Sequence, residues 1–157
     1  MKFRTTLVCL FLCVCMLLSA CTKNSQLSAY EITDNLKSLS STIKWTELNG
    51  DQLSSYFGFS DSDCEDFKVY VNSVENHFDI VAAIKPINNN SRQEILKGFN
   101  FVKDKASLNF KNSNDTEYKK ISSGLVYTAN QYLILVIMDS YDLVNSYFKE
   151  INATIAN

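Results

Sequence analysis

Six consecutive residues, Asp61-Ser62-Asp63-Cys64-Glu65-Asp66, set four carboxylates and a thiol side by side. The Asp-x-Asp-x-Glu spacing matches the start of a calcium loop, which also needs Gly at its sixth position and Glu at its twelfth. Asp66 and Asn72 stand there instead, so the stretch is expected to be an acidic turn capping a short helix before a strand. Negative neighbours raise a thiol pKa and lower its reactivity. Cys64 is therefore expected to be inert. His77 is the only histidine, and zinc usually draws on several His or Cys ligands. A Ser-His-Asp triad would have to use His77, yet the chain has no G-x-S-x-G turn, and Ser123-Gly124 lacks the preceding glycine. There is no P-loop and no G-x-G-x-x-G. The residues thus predict no catalytic set, no metal site and no cofactor-binding site.

The remaining reactive residue is Cys21. Met1-Lys2-Phe3-Arg4 is a basic start, and Leu7 to Leu18 is uncharged and almost wholly apolar. Twelve residues are too few for a spanning helix, which needs about twenty. A basic stretch, a short apolar stretch and small residues make a secretory signal. Leu18-Ser19-Ala20-Cys21 resembles the bacterial lipobox, Leu-[Ala/Ser]-[Gly/Ala]-Cys. That resemblance implies a diacylglyceryl group on the Cys21 thiol and cleavage just before it. One acyl chain holds a protein only marginally, whereas two anchor it stably. The expected location is the extracytoplasmic face of the cell membrane, anchored by lipid. The expected division is a lipoprotein signal peptide over 1–20, a tether over 21–27 and a single domain over 28–157.

Cleavage would change the composition. The full chain has 157 residues, a net charge of −2 and five cysteines. Removing 1–20 takes away Lys2, Arg4, Cys9, Cys13 and Cys15, and the net charge becomes −4. With Cys21 consumed by lipid, Cys64 is the only remaining thiol, so no intrachain disulfide can form. A hydrophobic core must hold the domain alone, and its length is adequate for one. The mildly acidic balance gives no broad positive field, so nucleic acid is not an expected partner. Lys119-Lys120, with Lys103, Lys105 and Lys111, reads as a solvated helix end. Contact with anionic headgroups is its other use.

Several elements must hold these residues in place. Ile32, Leu36 and Leu39 recur on one helical face. Leu53, Tyr56 and Phe57 make a second short helix, with Asp51 as its expected cap and Gly58 as its stop. Trp45 is expected to pack between these two helices. Phe67–Val71 alternates as a strand, and Phe78–Ile84 is a second strand stopped by Pro86. Ile95, Phe99, Val102 and Ala106 predict a long helix over 91–110, capped by Asn90 or Ser91. A helical turn is expected around 117–121. Leu125–Ala129 and Tyr132–Met138 predict a hairpin across Asn130-Gln131, although Gln suits its second position poorly. The unbroken apolar run from Tyr132 to Met138 suits a central strand covered on both faces. Val144, Tyr147, Phe148, Ile151 and Ile155 predict the buried face of a last helix, capped by Asp139 or Ser140. The expected fold class is α+β. Its four-stranded antiparallel sheet consists of two hairpins separated by a long helix. The long and last helices pack on one face of it, and two N-terminal helices precede it.

The lipobox, the Leu53–Gly58 helix end, the acidic stretch before Phe67-Lys-Val-Tyr-Val71, the Ile80–Ile84 strand and the long helix to Phe110 follow one another in order. Tyr118-Lys-Lys-Ile121, the 125–138 hairpin and a C-terminal helix complete the series. The whole resembles a set of short lipoproteins from Firmicutes catalogued only as a domain of unknown function. That resemblance implies no activity and supplies no catalytic residues. The reading is a membrane-anchored, non-catalytic binding or accessory module of the cell envelope, meeting an envelope protein or a small-molecule ligand. Two alternatives stay open. One is an envelope hydrolase or transferase with an acidic and hydroxyl site, and the other is a structural subunit of an envelope complex.

Overall fold

The structure is a computed structural model describing residues 27–156. The signal segment and Cys21 lie outside the described residues, as does the tether except for Leu27. The elements run α1 (Ala29–Ser38), β1 (Trp45–Glu47), α2 (Gly50–Phe57), a 3-10 turn (Asp61–Asp63), β2 (Cys64–Asn72), β3 (Ile80–Pro86) and α3 (Asn89–Phe110). They continue with α4 (Asp115–Ser123), β4 (Leu125–Ala129), β5 (Tyr132–Ile137), α5 (Tyr141–Glu150) and β6 (Thr154–Ile155).

The α+β class and both hairpins are present, but the sheet has six strands, in the order β1-β2-β3-β5-β4-β6, with antiparallel neighbours throughout. The two extra strands are short edge pieces. Trp45 lies in β1 opposite Asn72, not between two helices. Asn152 adopts φ 54° after α5, which turns the chain and lets Thr154 and Ile155 join β4. Ile155 is therefore an exposed edge residue and not part of the last helix face. Neither piece is long enough to show an alternating pattern.

Helices cover both faces of the sheet, which corrects the expectation of one. On β3, Ile80, Ala82 and Ile84 point to one core, and Val81 and Ala83 to the other. On β5, Leu133, Leu135 and Ile137 join the first core, and Tyr132, Ile134 and Val136 the second. The first core contains Leu53 and Phe57 of α2, Ile95, Phe99, Val102 and Ala106 of α3, and Ile121 of α4. The second contains Ala29, Ile32 and Leu36 of α1 with Val144 and Phe148 of α5. Central strands with no solvent face must be apolar at every position, and β5 is buried along its whole length.

Three of the caps fall where an Asn with extended backbone can reach back to the helix. The Asn49 side chain accepts from Gln52 N–H, Asn88 from Ser91 N–H, and Asn114 from Glu117 N–H. The observed caps Asn49 and Asn88 therefore lie two residues before the expected Asp51, and two or three before the expected Asn90 or Ser91. Ser140 stands at the start of α5 without a side-chain capping bond. Gly58 ends α2 at φ 85°, a conformation that costs an L side chain strain. Gly98 lets α3 lie against the end of α2, since a Cβ there would meet Phe57 O and Phe59 Cδ1, each at 2.7 Å.

Candidate functional site

α2 and α3 converge over the first core and leave a cavity of about 190 Å³ between them. Its floor is Val102 and Ala106, both buried on the inner face of α3. Tyr56 from α2 walls one side. Phe78 and Phe110 wall the other, with ring centroids 6.4 Å apart. Ser55, Lys105 and Asn109 form the rim. Lys105 and Asn109 are four residues apart, so they sit one turn apart on the same side of α3. Burial pushes the Tyr56 phenol above its ordinary value, so it stays neutral and able to donate. Apolar pockets with a few convergent polar groups are the usual form of a small-ligand site.

The wall residue Phe78 is held by a buried ionic cluster directly behind it. Lys120 Nζ donates to Asp79 Oδ1 at 2.8 Å and lies 2.9 Å from Glu117 Oε2. All three side chains are almost fully buried, at 5%, 2% and 5% exposure respectively. The remaining lone pairs are also used. Asp79 Oδ2 accepts from Asn72 Nδ2 at 2.7 Å, and Glu117 Oε2 accepts from the Phe78 backbone N–H at 2.9 Å. His77, half exposed, brings Nδ1 to 3.3 Å from Glu117 Oε1. Asp139 stands farther out, 3.9 Å from Lys120. Burial pushes Glu117 up, but bonds from Lys120 and Phe78 outweigh it and hold the carboxyl below its ordinary value. Burial likewise pulls Lys120 down, but bonds to Asp79 and Glu117 leave it net raised. Both shifts favour the charged forms. The cluster therefore clamps α4 to the turn between β2 and β3, and so fixes the Phe78 ring against α3.

The residues singled out from sequence fall elsewhere. The acidic stretch 61–66 is used locally. The Asp63 side chain accepts from Ser60 N–H and from Ser91 Oγ, Glu65 pairs with Lys85 at 2.6 Å, and Asp66 Oδ2 accepts from Ala29 N–H and Tyr132 Oη. Cys64 Sγ donates to Ser60 O, and burial, then Asp63 and Asp61, push its thiol up to about 12. His77 lies in the β2–β3 turn, as expected, but touches the cluster. Among the described residues, no three His, Cys, Asp or Glu side chains gather to hold a metal ion. The basic stretch is dispersed. Lys119 pairs with Asp115, Lys103 donates to Gly124 O, and Lys120 is buried and not solvated. Residue spacing singles out neither Asp79 nor Glu117, and it places Lys120 only in a solvated basic stretch. The available signal was a lone carboxylate inside the apolar run Phe78–Ile84, which needs a buried partner.

A family model described as a domain of unknown function, DUF4358, matches residues 37–138. The match runs from the end of α1 to just beyond β5. It takes in the whole cavity and the buried trio Asp79, Glu117 and Lys120, and leaves out Asp139, most of α1, α5 and β6. No curated protein and no solved structure matches the chain.

Proposed function

We propose, from the premise that this chain belongs to the DUF4358 family, that it is a lipid-anchored binding module of the bacterial cell envelope that takes a small ligand between α2 and α3. The observation that carries the binding part is the cavity itself. It has an apolar floor, aromatic walls and polar groups confined to the rim, and one wall is fixed in place by buried ion pairs. Cavities closed by flexible side chains alone pay ordering entropy when they bind, and a preset wall lowers that cost. Lys120 pairs with both Asp79 and Glu117, and the remaining negative charge is met by bonds from Asn72 Nδ2 and the Phe78 backbone N–H, so these charges hold the turn in position.

Anchoring is supported by Leu18-Ser19-Ala20-Cys21 and by its closeness to the folded domain. Ser28 already caps α1, with its side chain accepting from Glu31 N–H. No helix among the described residues is long and apolar enough to cross a membrane. Acyl chains on Cys21 would supply the attachment, and two chains suffice. The test is Cys21→Ser in the native host, followed by membrane fractionation and mass spectrometry of the N-terminal peptide. The expected result is loss of the diacylglyceryl adduct and release from the membrane fraction. Continued firm membrane association of the variant would overturn the anchor.

A further inference from the structure

We infer that the α2–α3 cavity binds a small aromatic carboxylate of phenylacetate size, with its ring on the apolar floor and its carboxylate at Lys105 and Asn109. This deepens the binding reading above and rests on it.

Size is the first constraint. An apolar cavity of about 150 Å³ holds one benzene ring. At about 190 Å³ this one has room for a ring and a short arm. Shape is the second. Val102 and Ala106 line it with buried aliphatic side chains, and Tyr56, Phe78 and Phe110 line it with aromatic ones. Aromatic rings meet such walls in tilted or offset geometry, and the Phe78–Phe110 pair is itself tilted, at 60°.

Charge is the third constraint and selects the ligand class. The rim holds one cation, Lys105, and its ammonium makes no ion pair with any carboxylate among the described residues. Its ammonium sits 5.9 Å from the centre of the exposed Phe101 ring, a weak contact that an anion would outcompete. Asn109, one turn on, can donate its amide N–H to the same anion. The Tyr56 phenol is kept neutral by burial, so no negative charge in the wall opposes a carboxylate. A neutral apolar ligand would leave Lys105 unused, and a cation would meet it unfavourably.

The test is a titration of the full-length chain in zwitterionic detergent, read by the methyl signals of Val102 and Ala106. The probes are phenylacetate, its neutral isostere phenylacetamide, and N-acetyl-phenylalanine amide as a stand-in for a partner's side chain. Phenylacetate is expected to shift both methyl signals and to bind about tenfold more tightly than the amide, as one charge-assisted contact at a rim would give. Lys105→Gln should abolish that preference. Ser55→Trp, a change at an exposed rim position, should plug the mouth and abolish the shifts. Equal binding of phenylacetate and phenylacetamide, a preference that survives Lys105→Gln, or tighter binding of the phenylalanine amide would overturn the carboxylate assignment and leave a binding cavity. No shift with any probe would overturn both the assignment and the cavity as a binding site.

Discussion

Replacing Lys120 with Met is the most direct test of the clamp behind Phe78. Methionine matches the aliphatic part of the lysine, so the packing of α4 is kept and the ammonium alone is lost. Asp79 and Glu117 are then left buried, at 2% and 5% exposure, without their shared cation. Each keeps one neutral donor, from Asn72 and from the Phe78 backbone. Breaking a buried ion pair in this way costs about 3–5 kcal/mol, or roughly 10–20 °C in Tm for a domain of this length. The pH dependence gives a sharper readout than the size. In the wild type Glu117 is depressed below 4.5, so its contribution is present above that value and is lost as pH falls through the folded pKa. Lys120 is raised above 10.5, so its contribution is present below that value and is lost as pH rises through its own folded pKa. Stability should be flat between. In the variant, desolvation without a counter-charge pushes the Glu117 carboxyl up. The folded state then binds protons more readily than the unfolded one, and stability should rise as pH is lowered from neutral. Urea denaturation at several pH values checks both. Lys119→Met, one residue away on an exposed pair, should leave the midpoint unchanged. Lys120→Met combined with Asp79→Asn and Glu117→Gln should recover much of the loss. A cost under about 1 kcal/mol, or a wild-type pH slope in the single variant, would refute the clamp.

Gly98→Ala should destabilise by about 1–3 kcal/mol, as overpacking does, because the new methyl meets the Phe57 carbonyl and the Phe59 ring at 2.7 Å; chemical denaturation checks it, and the α2 backbone signals should shift most. Gln131→Gly should stabilise by about 1 kcal/mol, because Asn130 and Gln131 both sit at positive φ, 48° and 74°, and only the second lacks a residue suited to it; a lower or unchanged Tm would count against a turn of that type. Cys64, with its thiol pushed up to about 12, should resist alkylation at pH 8 in the folded protein and react fully in guanidinium; rapid labelling of the native chain would contradict the environment described for it.

Much of the architecture could be read from residue pattern because the central strands leave so little choice. Tyr132-Leu-Ile-Leu-Val-Ile has no polar position, and such a strand must be covered on both faces. Followed to its end, that single run already excludes helices on one face only. Hairpin order alone suggests two layers, whereas the composition of this strand requires three. The run Ile80-Val-Ala-Ala-Ile84 carries the same message, and the structure sends its alternate residues to two separate cores. The edge strands lacked any comparable signal. Trp45–Glu47 and Thr154–Ile155 are held by pairing with β2 and β4, and that pairing depends on residues far away in sequence.

The candidate site was less legible for a related reason. Its polar members look ordinary one at a time. Glu117 and Lys120 are three apart on a short helix rich in charge, the spacing of a common surface pair. What distinguishes them is Asp79, about forty residues earlier, which sits at the edge of a strand with no solvent face. A carboxylate there must be paired or neutral, so the apolar run around it demanded a cation from elsewhere in the chain. Lys120 answers that demand, and in doing so carries Glu117 to the backbone of Phe78. The cavity then follows from the clamp. Phe78 is the residue before Asp79, so fixing the carboxylate on the cluster side turns the neighbouring ring toward α3, where Phe110 and the Val102–Ala106 floor meet it. The ion cluster and the pocket are two sides of one dipeptide, and a substitution that frees Asp79 should loosen the pocket even though it touches none of the pocket's other residues.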